Sequence, residues 1–155
     1  MFDVYMNRDA VQKAEFYFAE LAKRRLEGMG LLIGELCEHG DKEFVIVTDF
    51  ITANTDASAV SVRFSRSAFE SLSEELKKQS GKIVIGWCHS HPSYGCFLSS
   101  IDVNTQRRFF NESFHIASVF DPLKKERFGE VESMAKRFYR LTVNGYQEVS
   151  FAVVQ

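Results

Sequence analysis

The sequence is poor in cysteine, proline and tryptophan, with three, two and one of these among its 155 residues. The cysteines, Cys37, Cys88 and Cys96, are scattered and form no Cys-x-x-Cys pair, which argues against a disulfide framework and against a four-cysteine zinc site. No apolar run approaches the roughly 18 residues of a membrane helix. The N-terminus also lacks the basic start and apolar core of a signal peptide. We therefore expect a cytoplasmic protein that does not associate with membranes.

A strong charge of either sign is also missing, because 19 basic and 21 acidic residues leave a net charge of -2. The basic pairs Arg107-Arg108 and Lys124-Lys125 are short, and acidic residues elsewhere balance them. We expect solvated surface there and no nucleic-acid partner. The composition, with 45% hydrophobic residues, is that of an ordinary globular protein. We expect one domain over residues 1–155, without repeats or linkers.

Hydrophobic periodicity predicts an α/β fold in which helices flank a mixed β-sheet. Helices are expected at residues 7–25, 67–79 and 99–111. Strands are expected at residues 2–6, 30–37, 42–52, 60–64, 82–87, 116–120, 136–143 and 146–154. Loops are expected at 54–58 and, as a flap or surface loop, at 123–134, after a strand that Asp121-Pro122 stops. Asn144-Gly145 predicts a type I′ hairpin turn.

A short segment after the buried strand at 82–87 carries the residue types of a metal site. His89 and His91 have the same strand parity, so both imidazoles project from one face while Ser90 points away. If a helix begins near Ser99, then Asp102 lies in its first turn and reaches toward the same point. Three ligands leave a fourth tetrahedral position open, which is typical of a catalytic zinc ion.

Each part of this segment also has a structural interpretation. Two histidines at a strand end are often only hydrogen-bonded to backbone, and Ser99-x-x-Asp102 is a variant of the helix capping box. The capping and metal-binding interpretations are compatible, and the combination of all parts after one buried strand favours a metal site. Cys88 has the wrong parity for a ligand, and we expect both Cys88 and Cys96 to pack apolar surroundings.

The other candidate residues are less well defined by position. His39 and His115 have no partner at ligand spacing and are expected on the surface. A hydrolytic zinc site also needs a general base. Glu27, Glu35 and Glu38 all lie in or near the first long strand, and periodicity does not choose between them. On position alone each is expected to be an exposed charge.

The segment His89-x-His91-x7-Ser99-x-x-Asp102 resembles the full signature of the JAMM (MPN-plus) metalloproteases, in particular of members found in the proteasome lid and the signalosome. The similarity extends to the stretch at residues 27–34, a Glu-x-x-Gly-x-x-x-Gly element, and to a strand that ends in Asp-Pro at 119–122.

This resemblance implies a fold, a cofactor and residue roles. The fold is an α/β sandwich similar to cytidine deaminase. His89, His91 and Asp102 would bind zinc, Glu27 would be the general acid/base, and Ser99 would stabilise the oxyanion. The choice of Glu27 over the other two glutamates rests on the resemblance and not on spacing.

The resemblance further implies an isopeptidase or peptidase that cleaves after the C-terminal tail of ubiquitin or a ubiquitin-like modifier, alone, as a homodimer or with a partner subunit. The sequence departs from close relatives at Cys88, Ser93, Phe97 and Ser100, around the approach to the metal. Because the chain stops at Gln155 without long C-terminal helices, we expect a compact prokaryotic member. Two alternatives are a non-catalytic scaffold of the same fold and a zinc hydrolase of small peptides.

Overall fold

A computed structural model describes residues 1–52, 66–93 and 95–155, with side chains described except at 66–69. This part of the chain forms eight strands and three helices. In chain order they are β1 (Val4–Asn7), α1 (Arg8–Ala22), β2 (Met29–His39), β3 (Lys42–Ile51), α2 (Arg66–Lys77), β4 (Ile83–Ser90), α3 (Ser100–Phe109), β5 (Ile116–Phe128), β6 (Val131–Thr142), β7 (Gly145–Val149) and β8 (Phe151–Val154).

The strands form one mixed sheet in the order β7-β6-β5-β4-β2-β3-β1-β8. The apolar run expected at 82–87 becomes β4, which lies in the interior of the sheet. It runs antiparallel to β2 and parallel to β5. The predicted α/β class with a mixed sheet is therefore confirmed, and the strand that carries the histidines is held on both sides.

Helices cover both faces of the sheet. On one face α1 buries Ala14 and Phe18, and the Phe18 ring contacts the rings of Phe50 and Phe120 at 5.6 and 5.4 Å. On the other face α2 and the α3 region pack a second core that includes Leu72 and Trp87. Apolar side chains on both faces account for the uninterrupted hydrophobic character of β4.

Most expected elements lie within a few residues of their predicted positions. The β2–β3 hairpin has the predicted turn, where Gly40 adopts a φ of 63°. Helix α2 begins at Arg66 and ends at Lys77, close to the range expected from its apolar spacing. The loop predicted at 54–58 and the strand predicted at 60–64 lie outside the described residues.

The prediction that Asp121-Pro122 stops a strand is wrong. The register shifts between Asp121 and Lys125, and β5 then continues to Phe128, paired with β6. Because proline has no N–H to donate, the ladder is interrupted at Pro122 by a bulge instead of ending there. Residues 123–134, predicted as a flap or surface loop, form a hairpin arm whose turn contains Gly129 at a φ of 66°.

The prediction of a single strand at 146–154 is also wrong. The segment divides into β7 and β8, which lie at opposite edges of the sheet and are joined by Ser150 alone. The hairpin before it is present, but the turn residues are Val143 and Asn144, and neither Asn144 nor Gly145 has the positive φ of a type I′ turn.

Ser150, the residue that joins the edge strands β7 and β8, is held in place by hydrogen bonds to the N-terminal segment. Its N–H and its hydroxyl both donate to Asp3 Oδ2, at 3.0 and 2.7 Å, while its carbonyl accepts from Val4 N–H at 3.0 Å. Nearby, the ring of Phe138 on β6 lies 4.6 Å from the ring of Phe151 on β8. The sheet is therefore curled around α1.

We expect Gly86→Ala to lower the free energy of unfolding by about 3 kcal/mol, near the upper end for overpacking. A Cβ at Gly86 would lie 1.9 Å from the backbone oxygen of Ile116 on β5. Urea unfolding measures the change. Gly145→Ala is the matched control, because nothing lies within 4 Å of its Cβ position, and its effect should stay within about 0.5 kcal/mol. Equal effects of both substitutions would contradict the close approach of β4 and β5.

Candidate metal centre

The backbone of β4 positions both histidines. His89 pairs with Met29 of β2 on one side and with Val119 of β5 on the other. His91 lies one residue beyond β4, and its N–H donates to the carbonyl of Phe120 at 2.8 Å. The two imidazoles project from the same face, as the strand parity predicts.

The first turn of α3 supplies the carboxylate. Ser99 is the N-cap: its hydroxyl oxygen accepts from Asp102 N–H at 3.1 Å, and its own N–H donates to Asp102 Oδ2 at 2.8 Å. This is the predicted capping box. The same Asp102 Oδ2 lies 3.1 Å from His89 Nε2 and 3.3 Å from His91 Nε2.

The three side chains form a compact and buried donor set. The two Nε2 atoms are 3.1 Å apart, so every pair of the three atoms is separated by 3.1–3.3 Å. Ligand atoms about 2.0–2.1 Å from a tetrahedral zinc ion would be separated by about 3.3 Å. Two imidazoles and one carboxylate, with the fourth side open, are a ligand set of catalytic zinc sites. Within the described ranges, this is the one group of such side chains close enough to hold a metal ion.

The electrostatics favour the protonation states that bind metal. Burial lowers the pKa of His89, although Asp102 acts in the opposite direction. Burial alone would raise the pKa of Asp102, but hydrogen bonds from His89, His91 and Ser99 hold it well below its usual range. A carboxylate and a neutral imidazole are the ligating forms of these groups.

Trp87 and Gln106 support His89 on the side away from solvent. The hydrogen bond between them was not predicted from the sequence. The indole of Trp87 stacks on His89 with ring centroids 4.4 Å apart, and its Nε1–H donates to Gln106 Oε1. Gln106 is fully buried one turn after Asp102 on α3. The i, i+4 spacing of these two polar residues was the available signal for a shared inward face.

Asp121 anchors the loop between His91 and Ser99. It is buried, and its carboxylate accepts from the N–H groups of Ser93 (3.0 Å), Gly95 (3.2 Å) and Leu123 (3.0 Å). Ser93 and Gly95 have φ values of 69° and 85°, so the loop turns sharply where the carboxylate holds it. Asp121, at the start of the bulge within β5, therefore places its carboxylate against the loop.

The structure brings one of the three candidate glutamates to the histidines. Ser90 N–H donates to Gly28 O and Gly28 N–H donates to Ser90 Oγ, which extends the β2–β4 register by one residue beyond Met29 and His89. One further step in this register would bring Glu27 level with His91, and the charge of Glu27 does interact with His91 and Asp102.

Glu27 is only 9% exposed, so the prediction of an exposed charge is wrong for this residue. Burial raises its pKa, and its charge interacts with His91 and Asp102. Glu35 and Glu38 are exposed as predicted, and Glu35 forms an ion pair with Lys82 at 2.5 Å. The register of β2 against β4 therefore determines which of the three glutamates lies near the histidines.

The remaining candidates lie away from the donor set. Cys88 is buried in the core beneath α1, on the opposite face from the histidines, and Cys96 is half-buried. His39 is exposed, whereas His115 is half-buried and accepts a hydrogen bond from Glu112 N–H. Phe97 is exposed, with its ring 5.0 Å from that of His91. In the described part of the chain, the helices are too short or too polar to cross a membrane.

Comparison with known proteins gives a consistent group of relatives. Residues 4–113 match a family described as JAB1/Mov34/MPN/PAD-1 ubiquitin protease. The 26S proteasome non-ATPase regulatory subunit 14 of Dictyostelium discoideum is 43% identical over 105 residues, which cover 66% of this chain and 33% of that protein. The COP9 signalosome complex subunit 5 of Oryza sativa subsp. japonica is 40% identical over 120 residues, 74% of this chain and 32% of that protein.

Two further matches show how much of each protein the similarity covers. The ubiquitin carboxyl-terminal hydrolase RPN11 of Saccharomyces cerevisiae is 39% identical over 102 residues, 64% of this chain and 32% of that protein. The chain thus spans about a third of the length of these curated relatives. The solution structure of protein DSY2949 from Desulfitobacterium hafniense has a TM-score of 0.68 at 18% identity, covering 98% of this chain and 93% of that one, and shows the same fold.

We expect Asp102→Asn to weaken zinc binding by at least about 100-fold, since loss of groups that only orient ligands already costs about 10–100-fold. Asparagine keeps an oxygen for the Ser99 N–H, so α3 should stay capped. Zinc competition titration with a chelating dye measures the affinity, and Asp41→Asn, in the exposed β2–β3 turn, is the control. Unchanged zinc affinity in Asp102→Asn would remove Asp102 from the ligand set.

We expect Asp121→Ala to lower the free energy of unfolding by about 3 kcal/mol, because three part-buried N–H···O hydrogen bonds lose their charged acceptor. Asp121→Asn retains one acceptor oxygen and should cost about half as much. Urea unfolding compares the two. Equal stability of the alanine variant and the wild type would show that the loop is held by other contacts.

Proposed function

The chain belongs to the JAB1/Mov34/MPN/PAD-1 family, and on that premise we propose that it is a zinc-dependent isopeptidase or peptidase. Its substrate would be the bond after the C-terminal tail of ubiquitin or a ubiquitin-like modifier, cleaved in deconjugation or in precursor processing. The observation that carries the proposal is the donor triangle of His89, His91 and Asp102 with a buried glutamate, Glu27, beside it.

In this proposal His89, His91 and Asp102 hold the metal. A zinc ion at this site would lower the pKa of a bound water to about 7 and polarise the scissile carbonyl. Glu27 accepts the proton of the attacking water and returns it to the leaving amine. Its raised pKa suits both roles, because a base that titrates closer to neutral pH also donates its proton readily.

In the same proposal Ser99 stabilises negative charge on the substrate. Its hydroxyl oxygen accepts a hydrogen bond from Asp102 N–H, which fixes the oxygen and leaves the hydroxyl hydrogen available as a donor. That hydrogen would be donated to the oxyanion that develops during attack on the carbonyl. The N-cap role and the catalytic role therefore use different parts of one side chain.

The approach to the centre favours a slender peptide tail. The exposed Phe97 ring stands against His91, and the loop that carries it is tied down by Asp121 and by a hydrogen bond from the Tyr139 hydroxyl to Cys96 O. A tail of glycines could lie along this loop as an added strand, where bulkier side chains would meet the ring.

The proposal extends to the protein as a whole. We propose a single domain over residues 1–155 that acts in the cytoplasm on modifier conjugates, without nucleic-acid or membrane partners. The named relatives are subunits of the proteasome and the COP9 signalosome. A homodimer and a complex with a partner subunit are both compatible with the proposal.

We expect Glu27→Gln to lower kcat by about 10²–10⁴-fold and to leave bound zinc unchanged, because the amide cannot transfer the proton. The assay is cleavage of diubiquitin and of modifier fusions, with metal content measured on the same samples. Glu35→Gln is the matched control: Glu35 lies on β2, eight residues after Glu27, and pairs with Lys82 at the surface, so the variant should keep full activity.

Two outcomes would contradict the proposal in different ways. A wild-type protein that holds zinc and cleaves no modifier substrate would indicate a non-catalytic scaffold of the same fold. Cleavage of short peptides containing Gly-Gly at rates equal to those for intact modifier conjugates would indicate a hydrolase of small peptides.

A further inference from the structure

Ser90 separates the two histidines in the chain, and its side chain has no part in the donor set. Strand parity turns it to the opposite face of the sheet, the face on which Cys88 packs in the core beneath α1. Ser90 is fully buried, with 0% exposed. The role of its hydroxyl group therefore depends on the group that it contacts inside the protein.

That group is the backbone N–H of Gly28, the residue that follows Glu27. Gly28 N–H donates to Ser90 Oγ at 2.9 Å, in a buried hydrogen bond, and Ser90 N–H donates in return to Gly28 O at 3.0 Å. In a regular antiparallel ladder the carbonyl of Ser90 would accept the Gly28 hydrogen. Because the hydroxyl accepts it here, one side chain completes the last pair between the two segments.

Glu27 itself lies outside the strand ladder, because β2 begins at Met29. On its N-terminal side the chain is fixed by the end of α1, where Leu26 N–H donates to Leu21 O at 3.0 Å. On its C-terminal side the next contact of the backbone is the pair of hydrogen bonds with Ser90. The position of Glu27 is therefore set by the end of a helix and by one serine.

Helix α1 also packs directly against Gly28. A Cβ at this position would lie 2.5 Å from Leu21 Cδ1 and 2.8 Å from Tyr17 Cε1. The backbone at residue 28 is thus held between the side chains of α1 and the hydroxyl of Ser90. Glu27, one residue earlier, is 9% exposed, and its charge interacts with His91.

We propose that Ser90 is a positioning residue, which places the carboxylate of Glu27 for proton transfer through its hydrogen bonds to Gly28. The inference rests on the function proposed above, in which Glu27 is the general base. A base must lie within hydrogen-bond reach of the proton that it accepts, so a small displacement lowers the rate and leaves substrate binding intact. In the segment His89-Ser90-His91 the imidazoles then serve the metal, and the hydroxyl between them serves the base.

The test is a double-mutant cycle of Ser90→Ala and Glu27→Gln, with kcat, KM and zinc affinity measured for all four proteins on a modifier fusion. Ser90→Ala should lower kcat by about 10–100-fold, as a displacement of about 1 Å does, with KM and zinc affinity within about twofold of wild type. In the Glu27→Gln background the same substitution should change kcat by less than about twofold, because the base through which Ser90 acts is absent.

Ser118→Ala is the matched control for the loss of a buried serine hydroxyl. Ser118 is also 0% exposed, and its hydroxyl donates to Arg137 O on β6 at 3.1 Å, so kcat should stay at the wild-type value. Ser90→Thr keeps the hydroxyl and should keep kcat within about threefold of wild type. If Ser90→Ala does not fold, Ser90→Cys replaces it in the cycle, since a thiol is only a weak acceptor.

Amide hydrogen exchange of the metal-free protein gives a measurement that does not depend on activity. The N–H of Gly28 should exchange at least about tenfold faster in Ser90→Ala than in the wild type. Unchanged exchange at Gly28 would overturn the inference, because the hydroxyl would then not hold this segment.

The kinetic outcomes separate this inference from the proposed function. Wild-type kcat in Ser90→Ala would overturn the role of Ser90, and an equal loss of kcat in both backgrounds would overturn it as well, since a general structural defect does not act through Glu27. In both cases an active wild type with an impaired Glu27→Gln variant would leave the proposed function standing. A wild type that cleaves no modifier fusion would contradict the proposed function, and the role of Ser90 with it.

Discussion

One carboxylate oxygen connects the fold to the site. Asp102 Oδ2 accepts the N–H of the N-cap residue Ser99 and lies within 3.3 Å of the Nε2 atoms of His89 and His91. The start of α3 and the end of β4 are therefore held at one atom. Movement of the helix start by a fraction of a turn would undo the cap and the donor triangle together, so the same contact that stabilises α3 also determines the metal geometry.

Local rules predicted the parts of the site that lie within one element or one turn. Strand parity was enough to place His89 and His91 on one face, and the N-cap pattern was enough to place Asp102 three residues after Ser99. Glu27 was different, because its burial depends on the register of β2 against β4, a pairing between segments about 60 residues apart. Parity and propensity carry no information about which distant residue lies opposite.

The fold shows the same division between local and distant constraints. The rule that proline interrupts a ladder predicted an end at Pro122, but a bulge absorbs the missing donor, and pairing with β6 resumes beyond it. The alternating residues at 146–154 were predicted as one strand, and only the competition between β6 and β1 for partners divides them at Ser150. In both places long-range pairing overrides a correct local tendency.

The contact at Ser150 has a consequence for how the chain folds. The pairing of β1 with β8 joins residues 4–7 with residues 151–154, a sequence separation of 147 residues. Such contacts form late, because the loop that they close is long. During synthesis β1 lacks this partner until β8 has emerged, so one side of the core beneath α1 stays uncovered until then. Until β8 pairs with β1, the apolar side chains on that side of the α1 core are exposed to aggregation.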